Sequence, residues 1–272
     1  MRPIFLSLLP SFAFAQATSP DSTRLPSVVI TATRVETAVA VPASVTVISG
    51  DMLRERGITH LADALRLVPG ATVVTSSSFG SQSSLFLRGG QSNFVRVLLD
   101  GVPLNEPGGT LDIGTLTLDN IDRVEVVRGP ASVLYGADAV TGVIQLVSRT
   151  AARGTRGALA VDAGSYGQRD AVLSGGVGFS RASLSASVAD RAADGILAYN
   201  NSYSNRVADA SLHLLPDART EATLSARWQA TTYHVPTNSS GVLSDHNAEN
   251  TSHRLVVAFS GRRILASRLT AA

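Results

Sequence analysis

From Arg153 onward the chain alternates apolar and polar residues with a period of two, and this limits the fold more than any other feature of the sequence. In Ala222 to Ala230 the even positions are Ala222, Leu224, Ala226, Trp228 and Ala230, while the odd ones are Thr223, Ser225, Arg227 and Gln229. Ala182, Leu184, Ala186 and Val188 alternate in the same way with Ser183, Ser185 and Ser187, as do Ala208, Ala210, Leu212 and Leu214 with Asp209, Ser211 and His213. Successive side chains of a strand point to opposite faces, so each segment makes a strand with one apolar and one polar side. The alternation predicts strands over residues 156–165, 168–179, 181–190, 206–215, 219–230, 251–260 and 263–271. The links Arg191 to Asn205 and Thr231 to Asn250 are long, those at Pro216-Asp217 and Gly261-Arg262 are tight, and the short hairpin Ser165-Tyr166-Gly167 breaks the rhythm. Short turns alternating with long loops, around strands of this length, are the pattern of a transmembrane β-barrel. Tyr166, Phe179, Trp228 and Tyr233 fall near strand ends, where an aromatic girdle would place them. A soluble β-sandwich alternates as well, but Ala-rich apolar faces and unequal loops favour the barrel.

The start of the chain agrees with export. Met1-Arg2 is a short positive lead, Ile4 to Ala15 is apolar, and Ala13-Phe14-Ala15 is a small-x-small cleavage site, with Ala15-Gln16-Ala17 a second choice. Residues 1–17 read as a signal peptide, too short to span a bilayer. No later uncharged apolar run approaches the roughly 18 residues of a membrane helix, so contact with a membrane falls to strands. With no cysteine, the chain has no disulfide framework, thiolate metal site or lipid-anchoring thiol. The formal charge is +2, every basic residue is Arg, and no clustered basic patch supports nucleic-acid binding.

Residues 41–152 show a compact α+β pattern instead. "VPASVTVI" is strand-like; Ser49 is placed to N-cap a helix over Asp51 to Arg56 that Gly57 closes. Thr59 is placed to cap a second helix, in which Leu61, Leu65 and Val68 share a face and which Pro69-Gly70 ends. "ATVVT", "SSLFLRGG", "NFVRVLLDGVPL" and "IDRVEVV" read as four short strands. Gly129-Pro130 opens a turn or short helix that Tyr135-Gly136 closes, and Val143 to Val147 makes a last strand. The expected architecture is therefore an α+β domain followed by the beginning of an antiparallel transmembrane β-barrel, with the boundary near residue 153.

The pieces "SVVITATR", "ADALRLVPGATV", "SSLFLRGGQSN", "VLLDGVPLN" and "IDRVEVVRGPASVLYGADAVTGVI", in this order and spacing, resemble the TonB-dependent outer-membrane transporters, most closely the cobalamin-type receptors. The resemblance implies a plug domain over 41–152 seated in a barrel of about 22 strands. Seven strands cannot close such a barrel, and an open edge in lipid leaves backbone groups unpaired. The chain is thus expected to be the front of a longer transporter, or a truncated product. The resemblance makes Pro26, Ser27, Val28, Val29, Ile30, Thr31 and Ala32, within the 18–40 linker, the box that TonB binds as an added β-strand. Strand addition needs exposed main-chain groups, and Pro26 keeps this segment out of a central strand. It places ligand contacts at Ser84, Gln91, Gly109 and Thr110, the ligand being cobalamin or another corrinoid, with ferric siderophores as the alternative. "SSSFGSQSS" and "GGQSN" can hydrogen-bond a polar ligand, with Phe79 and Phe94 as apolar contacts, or can be plain turns.

Other conspicuous residues read as structural. Arg88, Asp100, Arg123, Glu125 and Arg128 pair with one another or with the barrel wall in one reading, and are solvated in the other. Gly89, Gly101, Gly129 and Gly136 suit backbone turns, and Tyr135 belongs to the same "LYG" turn. The five His are scattered, and Arg191 to Asn205 holds only Asp194, so no metal or calcium site is expected. No Gly-x-Ser-x-Gly elbow, phosphate loop or Gly-x-Gly-x-x-Gly is present, and no enzyme or cofactor is expected. A non-transporting plug that only holds TonB is the competing reading.

Overall fold

The structure, a computed structural model, describes residues 44–76, 80–238, 240–266 and 269–271. The expected leader, the segment Pro26 to Ala32 and Phe79 lie outside them. The N-terminal unit runs β1 (Ser44–Ser49), α1 (Gly50–Glu55), α2 (Leu61–Leu65), β2 (Ala71–Thr75), β3 (Ser83–Leu87), a 3-10 turn (Ser92–Phe94), β4 (Val95–Leu99), β5 (Val102–Pro103), β6 (Ile121–Arg128), α3 (Ser132–Tyr135) and β7 (Gly142–Ser148). Five strands form one sheet in the order β1-β6-β7-β4-β5, and β2 and β3 make a separate hairpin. Within the sheet β4 runs parallel to β7, and the remaining pairs are antiparallel.

Local chemistry explains most of these boundaries. Ser49 caps α1, its Oγ accepting from the Met52 amide at 3.2 Å. Gly57, at φ 66°, ends the turn that follows. The second helix departs from expectation: its N-cap is His60, with no side-chain cap bond, because the His60 ring is engaged elsewhere and Thr59 bonds to that ring. "NFVRVLLDGVPL" holds two strands rather than one, folded at Asp100 and Gly101, which take φ 47° and 85°. Leu53, Leu61, Leu65, Leu87, Val97, Ile113, Val124 and Ile144 fill the core.

The second layer is a seven-stranded antiparallel sheet of β8 (Gly154–Ala163), β9 (Arg169–Gly178), β10 (Ala182–Ala193), β11 (Tyr203–Asp217), β12 (Thr220–His234), β13 (Glu249–Ala266) and β14 (Leu269–Ala271). Each strand pairs only with its chain neighbours, and β8 and β14 form the two edges. Two expectations fail here. Gly261 and Arg262 are not a turn: they lie in the ladder opposite Ala222 and Glu221, and Arg262 Nη2 donates to Glu221 Oε2 at 2.8 Å. Arg191 belongs to β10, Cα-paired with Asn205, and the link after it is confined to 194–202.

The faces are inverted relative to a water-soluble protein. Leu184, Val188, Leu224, Trp228, Leu255, Val257 and Phe259 stand exposed on one side, while Ser183, Ser187, Asn205, Ser225, Arg227 and Gln229 are buried on the other, against the N-terminal unit. A β-sandwich would turn the apolar face inward; this sheet presents it outward, as a barrel does to lipid. The protein is therefore an α+β domain set against the polar face of an incomplete antiparallel barrel.

Candidate functional site

The two layers meet along an irregular stretch, residues 112–120, that lies flat on the polar face of β11 and β12. The stretch alternates. Leu116 and Leu118 turn back into the core, while Thr115, Thr117 and Asp119 turn to the sheet and are buried there. Its backbone is satisfied from both sides. The Leu61 amide donates to Leu116 O and the Leu118 amide to Thr59 O, both at 2.8 Å. On the opposite side, Asn205 Nδ2 and Gln229 Nε2 donate to Thr115 O at 2.8 and 2.6 Å. Arg227 donates to Thr117 O, Thr117 Oγ1 and Asp119 O at 2.8, 2.7 and 3.0 Å. A segment without its own ladder thus has its carbonyls paired by side chains of the wall, as buried backbone requires.

Charge is concentrated at one point of this seam. Arg191 Nη1 and Nη2 donate to Asp119 Oδ2 and Oδ1 at 2.8 and 2.6 Å, a bidentate pair with both side chains buried. Thr117 Oγ1 adds a bond to Asp119 Oδ2 at 2.7 Å. Burial alone would raise the Asp119 carboxyl, but the Arg191 hydrogen bonds and the Arg191 and Arg227 charges outweigh it and hold it below the usual range. Farther along, Asp100 binds the Ser148 amide and hydroxyl of its own unit, and the Ser225 hydroxyl of β12. Val256 of β13 joins the apolar core directly.

A second tie lies nearer the long connections. His60 Nε2 is 3.0 Å from the Tyr203 hydroxyl of β11, and Nδ1 is 2.9 Å from Thr59 Oγ1. Asn205 Nδ2 donates to the same phenol oxygen at 2.8 Å, so the phenol proton is directed at an unprotonated imidazole nitrogen. Burial, with the Arg191 charge adding to it, pulls His60 down to about 4. Gly80, at φ 74°, fits beneath the Tyr203 ring; a Cβ there would stand 1.9 Å from Tyr203 Cδ2.

The expected ligand contacts gather in part. Gln91 is the exposed residue before the 3-10 turn, and Asn93 of that turn touches Gly109, whose Cβ position would be 2.3 Å from Asn93 O. Asn105 ties Gly109 to the start of β4, donating to Gly109 O at 2.8 Å and to Val95 O at 3.0 Å. Thr110 is exposed beside them. Ser84 lies apart, opposite Val74 in the β2–β3 hairpin; its neighbour Ser83 is tied through Asp112 Oδ1, which accepts from the Ser83 and Gly114 amides at 2.9 Å each. Burial pushes Asp112 up, against those two amide bonds.

The residues read as structural occupy strand β6, helix α3 and the turns of the N-terminal unit. Arg128 donates to Pro69 O and Thr46 Oγ1, at 2.7 and 3.0 Å. Arg123 pairs with Glu125 at 2.6 Å. Arg88 has φ 51°, and its Nη1 lies 3.9 Å from where a Gly129 Cβ would stand. Gly89, Gly129 and Gly136 take φ 74°, 140° and 90°, and Tyr135 closes α3.

Residues 37–143 match the TonB-dependent receptor plug domain. Over 165 residues, 60% of the chain, the sequence is 38% identical to a vitamin B12 transporter of Vibrio vulnificus, of which that match covers 27%. The N-terminal unit is thus a plug domain of the TonB-dependent receptor type, and the chain is similar to the front of such a receptor. The fold agrees. The ferripyoverdine receptor of the Pseudomonas aeruginosa outer membrane superposes with a TM-score of 0.64 at 18% identity, covering 82% of this chain and 32% of that one. The siderophore receptor PiuA of Acinetobacter baumannii does so at 0.66 and 23%, covering 84% and 35%. The chain thus spans about a quarter of the length of the transporter it matches and about a third of the receptors it superposes on. In this chain the plug is the N-terminal unit, and residues 112–120 are the strap that docks it on the seven-stranded wall. Arg227 and Gln229 of that seam were legible as the polar face of a strand. His60, Asp119, Arg191, Asn205 and Tyr203 were not singled out, although the run Thr115-Leu116-Thr117-Leu118-Asp119 carries the same alternation as the barrel strands.

Proposed function

We propose that the receptor takes up a large, scarce nutrient across the outer membrane, with a corrinoid of the cobalamin class as its ligand. One observation carries the gating part of this reading: the plug meets the wall mainly through polar, side-chain-to-backbone bonds, which water can replace, rather than through a continuous apolar core. A plug held in this way can be shifted and reseated. Ser84, Gln91, Gly109 and Thr110 are the proposed ligand contacts. Pro26, Ser27, Val28, Val29, Ile30, Thr31 and Ala32 are the proposed TonB box, which TonB and its inner-membrane energy-coupling complex engage by strand addition.

The choice of ligand rests on the relative named as a vitamin B12 transporter. The ferric-siderophore reading has its own support, in that the structural relatives named above are siderophore receptors. Whole cells carrying the receptor, offered labelled cobalamin and labelled ferric siderophores in competition, separate the two. Saturable, TonB-dependent cobalamin uptake supports the first reading, and uptake of iron alone replaces it with the second. A peptide of residues 22–36 should bind the periplasmic domain of TonB, and the same peptide with Ile30→Pro should not.

A further inference from the structure

The lipid-facing side of the barrel is apolar through the exposed Leu224, Val188, Trp228 and Leu255. The next row toward the long connections is charged. There Asp190 of β10 is the Cα partner of Arg206 of β11, with Arg206 Nε 3.6 Å from Asp190 Oδ2, and the side chains are 61% and 69% exposed. On its other side Asp190 pairs with Ala171, and Arg169 lies two residues from Ala171 on the same face of β9. Such diagonal neighbours are roughly 7–8 Å apart. Asp190 thus has one arginine directly opposite it and a second a diagonal step nearer the long connections.

Depth gives this row its meaning. A charge on the lipid face is costly at the bilayer midplane and nearly free at the interface. From Pro216 to Arg206 of β11 the chain takes ten steps of about 3.3 Å along a strand tilted by about 40°, which makes roughly 25 Å of height above the tight turn. The apolar band of an outer-membrane barrel is about 25 Å tall, so Arg206 stands at its edge, where headgroups begin. The exposed pair with Asp190 is loose and offsets only one of the two positive charges, which leaves guanidinium donors turned outward.

We propose that Arg169 and Arg206 form a binding site for a phosphorylated lipid headgroup of the outer leaflet, with the guanidinium groups donating to phosphate oxygens and Asp190 limiting the affinity. The outer-leaflet assignment rests on the reading that the long connections face out of the cell.

The test uses the full receptor in nanodiscs containing either bisphosphorylated lipid A or its dephosphorylated form, with retained lipid counted by native mass spectrometry. The wild type should retain the phosphorylated form about tenfold better. R169Q/R206Q should reduce that preference to parity, while D190N, which leaves both guanidinium groups in place, should increase retention severalfold. Heat-modifiable gel mobility shows that each variant is folded. Equal retention of the two lipids, undiminished retention by R169Q/R206Q, or weaker retention by D190N overturns the site. A tag inserted at Gly241, probed on intact cells, reports orientation separately from binding.

Discussion

Arg191 of β10 holds both carboxylate oxygens of Asp119, at 2.6 and 2.8 Å, across the seam between barrel and plug. The pair is buried on both sides, so its two members depend on each other. Removing one leaves an uncompensated charge in a dry site, which costs about 3–5 kcal/mol. Asp119→Asn and Arg191→Met should each loosen the plug by that order. The double variant should recover part of the loss, because it leaves no unpaired ion. Hydrogen exchange at Leu61–Leu65 and Thr115–Asn120 in the folded receptor reads this directly. Strictly additive losses would mean that the pair is not a coupled unit.

His60 makes the docking acid-sensitive. Its pKa falls from an ordinary 6.5 to about 4 on burial, so below pH 6.5 the unfolded chain binds a proton that the folded one resists. The stabilisation is complete above pH 6.5 and is lost progressively as the pH falls toward 4, with a total on the order of 3 kcal/mol. Melting of the wild type from pH 7 to pH 4 should show a decline that His60→Gln flattens. Carboxylates contribute in both proteins, so the difference between the two curves is the measurement that matters.

Gly80 and Gly57 form a matched pair for testing close approach. Both have positive φ, 74° and 66°, but a Cβ at Gly80 would strike the Tyr203 ring, whereas nothing lies within 4 Å of one at Gly57. Gly57→Ala should cost about 1 kcal/mol, from backbone conformation alone. Gly80→Ala should cost more and should also raise hydrogen exchange around His60, because Tyr203 must move. Equal costs would show that the ring adjusts freely.

Trp228 is the single tryptophan of the chain, and it stands on the outward, apolar side of β12, 42% exposed. In reconstituted bilayers its emission should be blue-shifted and quenched by lipids brominated on their acyl chains. Quenching by aqueous iodide instead would place the outward face in water and remove the barrel reading.

Much of the fold was legible because strands and helices leave periodic traces. The even and odd sets of Ala222 to Ala230 separate the lipid side from the plug side, and Ser49 marks the start of a helix. What escaped was set by contacts rather than by local pattern. Thr59 looks like a cap, but its hydroxyl serves His60, whose own partner lies on β11. Gly261-Arg262 looks like a turn, yet Glu221 on the neighbouring strand draws Arg262 into the ladder. Arg191 seemed to belong to a loop because its value lies in reaching Asp119, which is 72 residues away. The strap has no ladder of its own, and its shape follows from the wall that supplies its hydrogen bonds.

The strand order β1-β6-β7-β4-β5 also sets the two layers apart in the range of their contacts. Ser44 is paired with Arg128 and Val95 with Gly142, so the small sheet waits for distant segments to meet, and closing such long loops is slow. The barrel strands pair only with the segment just before or after them, each through a short closure. Along one polypeptide, the wall can pair hairpin by hairpin, while its occupant needs closures over long stretches of chain. The wall therefore rests on contacts between chain neighbours, whereas the plug within it rests on contacts between segments far apart in the sequence.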